Sequence, residues 1–164
     1  MREPSGRRLP RPVPHPASAA DAWAAVVAAM PDLRRQPEAL DPYTASMRQL
    51  HAMSLLSAEV NNGGFSQFFF NGGGLWLDDA IAGFAAAGLE SYRSLAVEAA
   101  DTVIARMDSL VGAQRAGGMD AYSAWAESAG LERFDDRWWE LPDLDSALDR
   151  FVDEHAADLW EDAS

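Results

Sequence analysis

The chain has 164 residues with 26 acidic and 13 basic side chains, a formal net charge of -13 and no cysteine. That length suits one domain, and 48% hydrophobic residues supply enough apolar surface for a core. The charge opposes direct binding to nucleic acid or an anionic membrane, and the missing cysteines exclude disulfides, thiolate nucleophiles and cysteine metal ligands together.

Residues 1–16 carry Arg2, Arg7, Arg8 and Arg11 among Pro10, Pro12, Pro14 and Pro16. Basic residues ahead of an alanine-rich stretch imitate a secretory leader, but Asp21 interrupts the apolar segment such a leader needs. The reading is therefore a flexible Arg/Pro-rich arm over 1–16 and a helical domain over 17–164. No apolar run approaches the roughly 20 residues that span a bilayer, and the expected compartment is the cytoplasm. Every basic residue is arginine; with abundant alanine this reads as a GC-rich coding bias.

A helix is predicted from Ser18, which can cap with Asp21 three residues on. Trp23, Val26, Val27 and Met30 follow at helical spacing up to Pro31. Asp41-Pro42 predicts a second start, a capping side chain ahead of a first-turn proline. Tyr43, Met47, Leu50, Ser54 and Ser57 then trace one face, and Asn61-Asn62-Gly63-Gly64 predicts a stop. A short aromatic segment, Phe65 to Phe70, comes next. Helices are expected from about Leu75 to Ala87, from Ser91 to Gly112, over 119–129 and from Asp145 to Trp160. No alternating strand pattern is present. The fold class is all-α, a single compact bundle of about six to eight helices.

The motifs of catalysis and metal binding are missing from this chain. The glycines around 63–74 lack the Gly-Lys-Ser/Thr of a phosphate loop, and no G-x-S-x-G elbow occurs. The histidines are His15, His51 and His155, with no H-E-x-x-H spacing. His155 and Asp158 could share a helix face, but zinc needs three or four ligands. Asp78-Asp79 and Asp135-Asp136 are adjacent pairs, which diverge by about 100° on a helix. The expectation is a non-enzyme without cofactor or metal.

One stretch is distinctive: Glu59-Val60-Asn61-Asn62-Gly63-Gly64-Phe65-Ser66-Gln67-Phe68-Phe69-Phe70-Asn71. It resembles the signature E-V-x-N-G-G-F-x-Q-[FY]-F-x-N of the bacterial DNA-mimic protein (DMP) family. Glu59, Val60, Asn62, Gly63, Gly64, Phe65, Gln67, Phe68, Phe69 and Asn71 match it. Arg133 to Leu141 is similar to the family's acidic-aromatic turn before its last helix. The resemblance, over roughly 40–160, implies a small, helical, acidic protein. It further implies carboxylates standing where DNA phosphates would, so that a DNA-binding protein is captured. Where the family has Ser or Thr soon after Asn71, this chain has Gly72-Gly73-Gly74.

The signature also has a reading from its own residues. Phe65, Phe68 and Phe69 fall at i, i+3, i+4 and suit core anchors. Glu59, Asn62, Gln67 and Asn71 offer donors and acceptors to exposed backbone ends. Two readings stay open: a structural corner, or a polar pocket for a small ligand or peptide.

From residue 120 onward, 14 acids face 3 arginines, a net of -11. On the last helix Asp145, Asp149 and Asp153 border the apolar stripe on one side, and Glu154 and Asp158 on the other. Carboxylates four apart on a helix lie about 5–6 Å apart, near the spacing of successive phosphates. Trp160 falls outside the stripe. The candidate interaction surface is Asp135, Asp136, Glu140, Asp145, Asp149, Asp153, Glu154, Asp158 and Trp160, with Trp160 and the aspartates 145, 149 and 153 as a contact patch. The expected partner is a basic protein, such as a DNA-binding protein or transcription factor, with a second copy of the chain as a further candidate. Two alternatives are an immunity protein that neutralises a toxin and a ligand-binding helical protein with its site around 59–71.

Overall fold

Residues 6–162 are described in the computed structural model, and among them the chain forms nine helices and no strand. They are α1 (Ala19–Ala29), α2 (Ala45–Phe70), α3 (Leu77–Ala86), α4 (Glu90–Ile104), α5 (Met107–Ala116), α6 (Gly118–Ala129), α7 (Glu132–Trp139), α8 (Leu144–Glu154) and α9 (Ala156–Leu159). The all-α bundle is as the periodicity predicts. Two expected helices are each broken. The Ser91–Gly112 helix divides into α4 and α5 at Ala105-Arg106, where Arg106 leaves helical geometry at φ -129. The last helix divides into α8 and α9 at His155, whose ring stacks on Phe151 with centroids 4.2 Å apart.

The core is organised around α2. Its apolar side chains Met47, Leu50, Met53, Leu56 and Val60 are fully buried, and α1, α3, α5, α6, α7, α8 and α9 pack around it. A helix buried on most sides tolerates few polar groups without partners. Ser46, His51, Ser54, Ser57, Glu59 and Ser66 are nonetheless buried, all of them on this helix. Gly63 and Gly64 bend α2 sharply, with Gly64 at φ 77, ψ 179. The predicted stop is therefore real in the backbone, but the Phe65–Phe70 segment resumes as helix at once. Phe65, Phe68 and Phe69 are buried core anchors, as their spacing predicts.

Three local expectations differ from what forms. α2 begins at Ala45 with Thr44 as its cap, whose hydroxyl accepts from Met47 N at 3.3 Å. Asp41-Pro42 lies in a turn ahead of the helix, and the residue after it, Tyr43, pairs with Arg7. Arg7 N donates to Pro42 O at 2.7 Å, and Thr44 N donates to Arg7 O at 3.1 Å. The same segment is the second difference. The arm expectation covers 1–16, of which residues 1–5 lie outside the described residues. Leu9, however, is buried and pairs with the end of the chain, its N donating to Leu159 O at 3.1 Å. Third, the stretch read as a turn before the last helix is itself α7. It follows Gly130 in the left-handed region at φ 69 and has no side-chain cap of its own.

Candidate functional site

The bend in α2 gathers the polar residues of the signature on one side of the bundle. Glu59, on the last turn before the bend, is 6% exposed. Gln67 and Asn71, beyond the bend, both reach back to it. Gln67 Nε2 donates to Glu59 Oε2 at 2.7 Å and Asn71 Nδ2 donates to the same oxygen at 3.0 Å. Asn62 Nδ2 in turn donates to Gln67 Oε1 at 3.0 Å. Arg34, from the loop after α1, stands 3.6 Å from the other carboxylate oxygen, Glu59 Oε1. A buried carboxylate is tolerated only when donors compensate its desolvation, and this set of amides does so for one oxygen.

The two ends of the Phe65–Phe70 segment are tied by residues far away in sequence. Asp135 of α7 accepts from Phe65 N at 2.8 Å, which caps the restarted helix. Gln114 of α5 donates to Phe69 O and Phe70 O at its other end. Burial raises the pKa of the Asp135 carboxyl, the Phe65 amide opposes that rise, and the neighbouring charges of Asp136 and Glu132 add to it. Gly64 has a steric reason as well as a conformational one: a Cβ there would lie 2.3 Å from Asp135 Oδ2. The departure at Gly72-Gly73-Gly74 is structural too. Gly72 turns the chain at φ 85, and a Cβ on Gly73 would lie 2.3 Å from the Phe68 ring.

A cavity of about 730 Å³ opens beside Glu59, between the bend of α2 and the start of α6. Its polar side is Arg34, Glu59, Asn62, Gln67 and Asn71, and its apolar side is Phe70, Met119 and Tyr122. The rings of Phe70 and Tyr122 meet edge to face at 5.1 Å. The Tyr122 hydroxyl donates to Gly63 O at 3.4 Å, which fixes that wall to the bend. Burial raises the Tyr122 pKa, and the negative charges of Asp135 and Glu59 raise it further.

A family model for DMP19-like proteins matches residues 41–155. The chain belongs to the DMP19-like family. No curated protein matches it, and no solved structure does. The span shared with the DMP19-like family holds the whole bend of α2, α7 and α8, but leaves Arg34 and Trp160 outside.

The acidic residues of the last third do not form the continuous border predicted. Asp136, Glu140, Asp145, Asp153 and Glu154 are exposed. Asp149 instead accepts from Ala19 N at 2.7 Å, at the start of α1. Asp158 turns inward, its carboxylate accepting from the Ser46 hydroxyl at 3.0 Å and its carbonyl from Thr44 Oγ1 at 2.9 Å. The contact patch built on Trp160 is overturned: Trp160 is 0% exposed. The helix ends at Leu159, so the helical spacing that puts Trp160 outside the stripe does not reach it, and the residue is extended at φ -120, ψ 143. Among the basic residues nearby, Arg137 is paired with Glu98 and Arg133 lies over the Phe134 ring.

Arg34, Met119, Tyr122 and His51 are not among the residues that the sequence marks out for a site. His51 had a usable signal, since it lies four residues from both Met47 and Leu55 on the buried face of α2. Arg34, Met119 and Tyr122 had none, because the pocket is assembled by tertiary packing from three separate segments.

Proposed function

We propose that this DMP19-like protein acts by binding rather than by catalysis, and that it captures a basic DNA-binding protein through the carboxylates of α7 and α8. The observation that carries the reading is the concentration of charge, 14 acids against 3 arginines from residue 120 onward. Five of the predicted surface acids, Asp136, Glu140, Asp145, Asp153 and Glu154, remain exposed and available to a partner. Membership in the DMP19-like family supports it. Asp135 is spent as the cap of Phe65, and Asp149, Asp158 and Trp160 turn inward, which narrows the surface to those five carboxylates. Such a surface attracts cationic partners over a distance and makes association sensitive to salt.

The test is capture from a nuclease-treated native extract by the wild-type chain and by a variant with the five carboxylates changed to amides. A basic DNA-binding protein held by the wild type, released by high salt and displaced by duplex DNA supports mimicry. Capture that is unchanged in the variant, or that DNA does not compete for, refutes it. A toxin domain held by the same carboxylates moves the assignment to an immunity protein.

A further inference from the structure

We propose that the cavity beside Glu59 is a binding site for a guanidinium group. The site is distinct from the acidic face, and the inference does not depend on it.

The argument starts from the two oxygens of Glu59. Oε2 is filled by the amides of Gln67 and Asn71 at 2.7 and 3.0 Å. Oε1 faces Arg34 at 3.6 Å. A charge-assisted N–H···O bond is about 2.7–2.9 Å long, so Arg34 stands over this oxygen without closing on it. The Arg34 side chain is 73% exposed and lies in the loop after α1, so little holds it in place. Glu59 Oε1 accepts no hydrogen bond among the described residues, so it is open to a further donor. The amides that hold Glu59 come from beyond the bend, so the carboxylate is positioned in advance, and the oxygen they leave free is the one Arg34 stands beside.

The rest of the cavity suits a planar cation. Phe70 and Tyr122 form an aromatic corner, and guanidinium groups stack on aromatic faces. Met119, 73% exposed beside that corner, supplies a flexible apolar surface for an aliphatic stem. Asn62 spends its amide nitrogen on Gln67, leaving its carbonyl oxygen as a further acceptor. The volume of about 730 Å³ lies in the range of ligand sites, about 300–1,000 Å³. An anion would be repelled by the Glu59 carboxylate in the lining, whereas a cation is drawn there by a chain of net charge -13. Arg34 already places one guanidinium at the site, and we assign it the role of a tethered occupant that an incoming guanidinium displaces.

Two sources share this chemistry: a free guanidino compound, and an arginine side chain carried by a polypeptide. Titration calorimetry on the full chain separates them with three probes, agmatine, N-acetyl-argininamide and the blocked tripeptide acetyl-Gly-Arg-Gly-amide. N-acetyl-glutaminamide is the uncharged control. Saturable one-to-one binding of the arginine probes is expected. Tighter binding of the tripeptide than of agmatine assigns a chain-borne arginine, and the reverse order assigns a free compound. Arg34→Ala removes the tethered competitor, so it should tighten binding by a few-fold, the scale of an exposed ion pair. Glu59→Gln should weaken it by about tenfold or more, as loss of a charged hydrogen-bond partner does. Should Glu59→Gln fail to fold, Tyr122→Ala replaces it, with an expected loss of about two- to fivefold. The proposal is overturned if neither wild type nor Arg34→Ala binds any arginine probe. It is equally overturned if Arg34→Ala weakens binding, or if the glutamine control binds as well as arginine. Because the five exposed carboxylates of α7, α8 and the turn between them do not line the cavity, failure here leaves the capture reading standing, and failure of that reading leaves this one.

Discussion

His51 is 2% exposed in the middle of α2. Its Nδ1 accepts from Trp23 Nε1 at 3.0 Å, the Trp76 ring meets it edge-on at 4.5 Å, and its Nε2 has no partner among the described residues. Burial, with the positive charge of Arg34 adding to it, lowers its pKa from 6.5 to about 4. The folded protein therefore keeps His51 neutral where the unfolded chain would protonate it. Between pH 4 and pH 6.5 the unfolded state holds more protons, so stability rises with pH across that window. The contribution is complete above pH 6.5 and is eroded as the pH falls toward 4. Its size is on the order of 3 kcal/mol. Urea unfolding at pH 7 and pH 5 checks this. The wild type should lose stability at pH 5, and His51→Gln, which can still accept from Trp23, should lose markedly less. Equal losses in the two proteins would place the acid sensitivity in other residues.

At the scale of elements, the bend in α2 and its distant cap act together. Gly64 adopts a backbone conformation that side chains rarely reach, and Asp135 of α7 bonds the next amide. Gly64→Ala should cost about 1–3 kcal/mol from backbone strain alone. Asp135→Ala should cost about 0.5–2 kcal/mol as the loss of a cap. The double variant should lose less than the sum, because removing the Asp135 carboxyl also removes what a Cβ at residue 64 would strike. Thermal denaturation of the three variants measures the coupling, and strict additivity would show that the two residues act independently. The same elements explain what the sequence could and could not disclose. The Asn61–Gly64 stop was legible because left-handed and extended glycine geometry is a local property. So was the burial of Phe65, Phe68 and Phe69, which follows from spacing on one short helix. The start of α2 was misplaced by three residues because a segment near the N-terminus holds Tyr43 and Thr44. α7 carries no capping side chain and is held by packing against α2 and α4; at 8 residues its local mark is a single buried pair at helical spacing, Phe134 and Trp138. The amide cluster on Glu59 was legible as a set of polar residues, but the wall facing it comes from α6, which no periodicity connects to α2.

For the whole molecule, the net charge of -13 sets one expectation directly: a mobility-shift titration with duplex DNA at physiological salt should stay flat, and saturable binding would contradict it. A second concerns how the ends of the described chain close the fold. Leu9 is buried, Leu9 N donates to Leu159 O at 3.1 Å, and Glu161 N donates to Leu9 O at 2.8 Å. Trp160, fully buried, lies between those two bonds in sequence, and its indole Nε1 has no partner among the described residues. A buried indole N–H without an acceptor is a cost that the packing around the ring must outweigh. The segment around Leu9 thus covers the core where α9 ends and is a part of the domain. Leu9→Ala should lower stability by about 2–5 kcal/mol, the range for a buried leucine. Removing residues 1–10 should go further and admit water to Trp160. The chain has 6 tryptophans, so the readout must resolve them individually. Fluorine NMR of protein labelled with 5-fluorotryptophan does so, with the Trp160 resonance assigned by Trp160→Phe. In the intact chain that resonance should show no solvent isotope shift on transfer to heavy water. In the truncated chain it should move and acquire one, while the resonance of Trp138, buried between α2 and α4, stays in place. If the Trp160 resonance is unchanged by the truncation, the N-terminal segment is not what covers it. If the intact chain already shows the isotope shift, the burial of Trp160 is refuted.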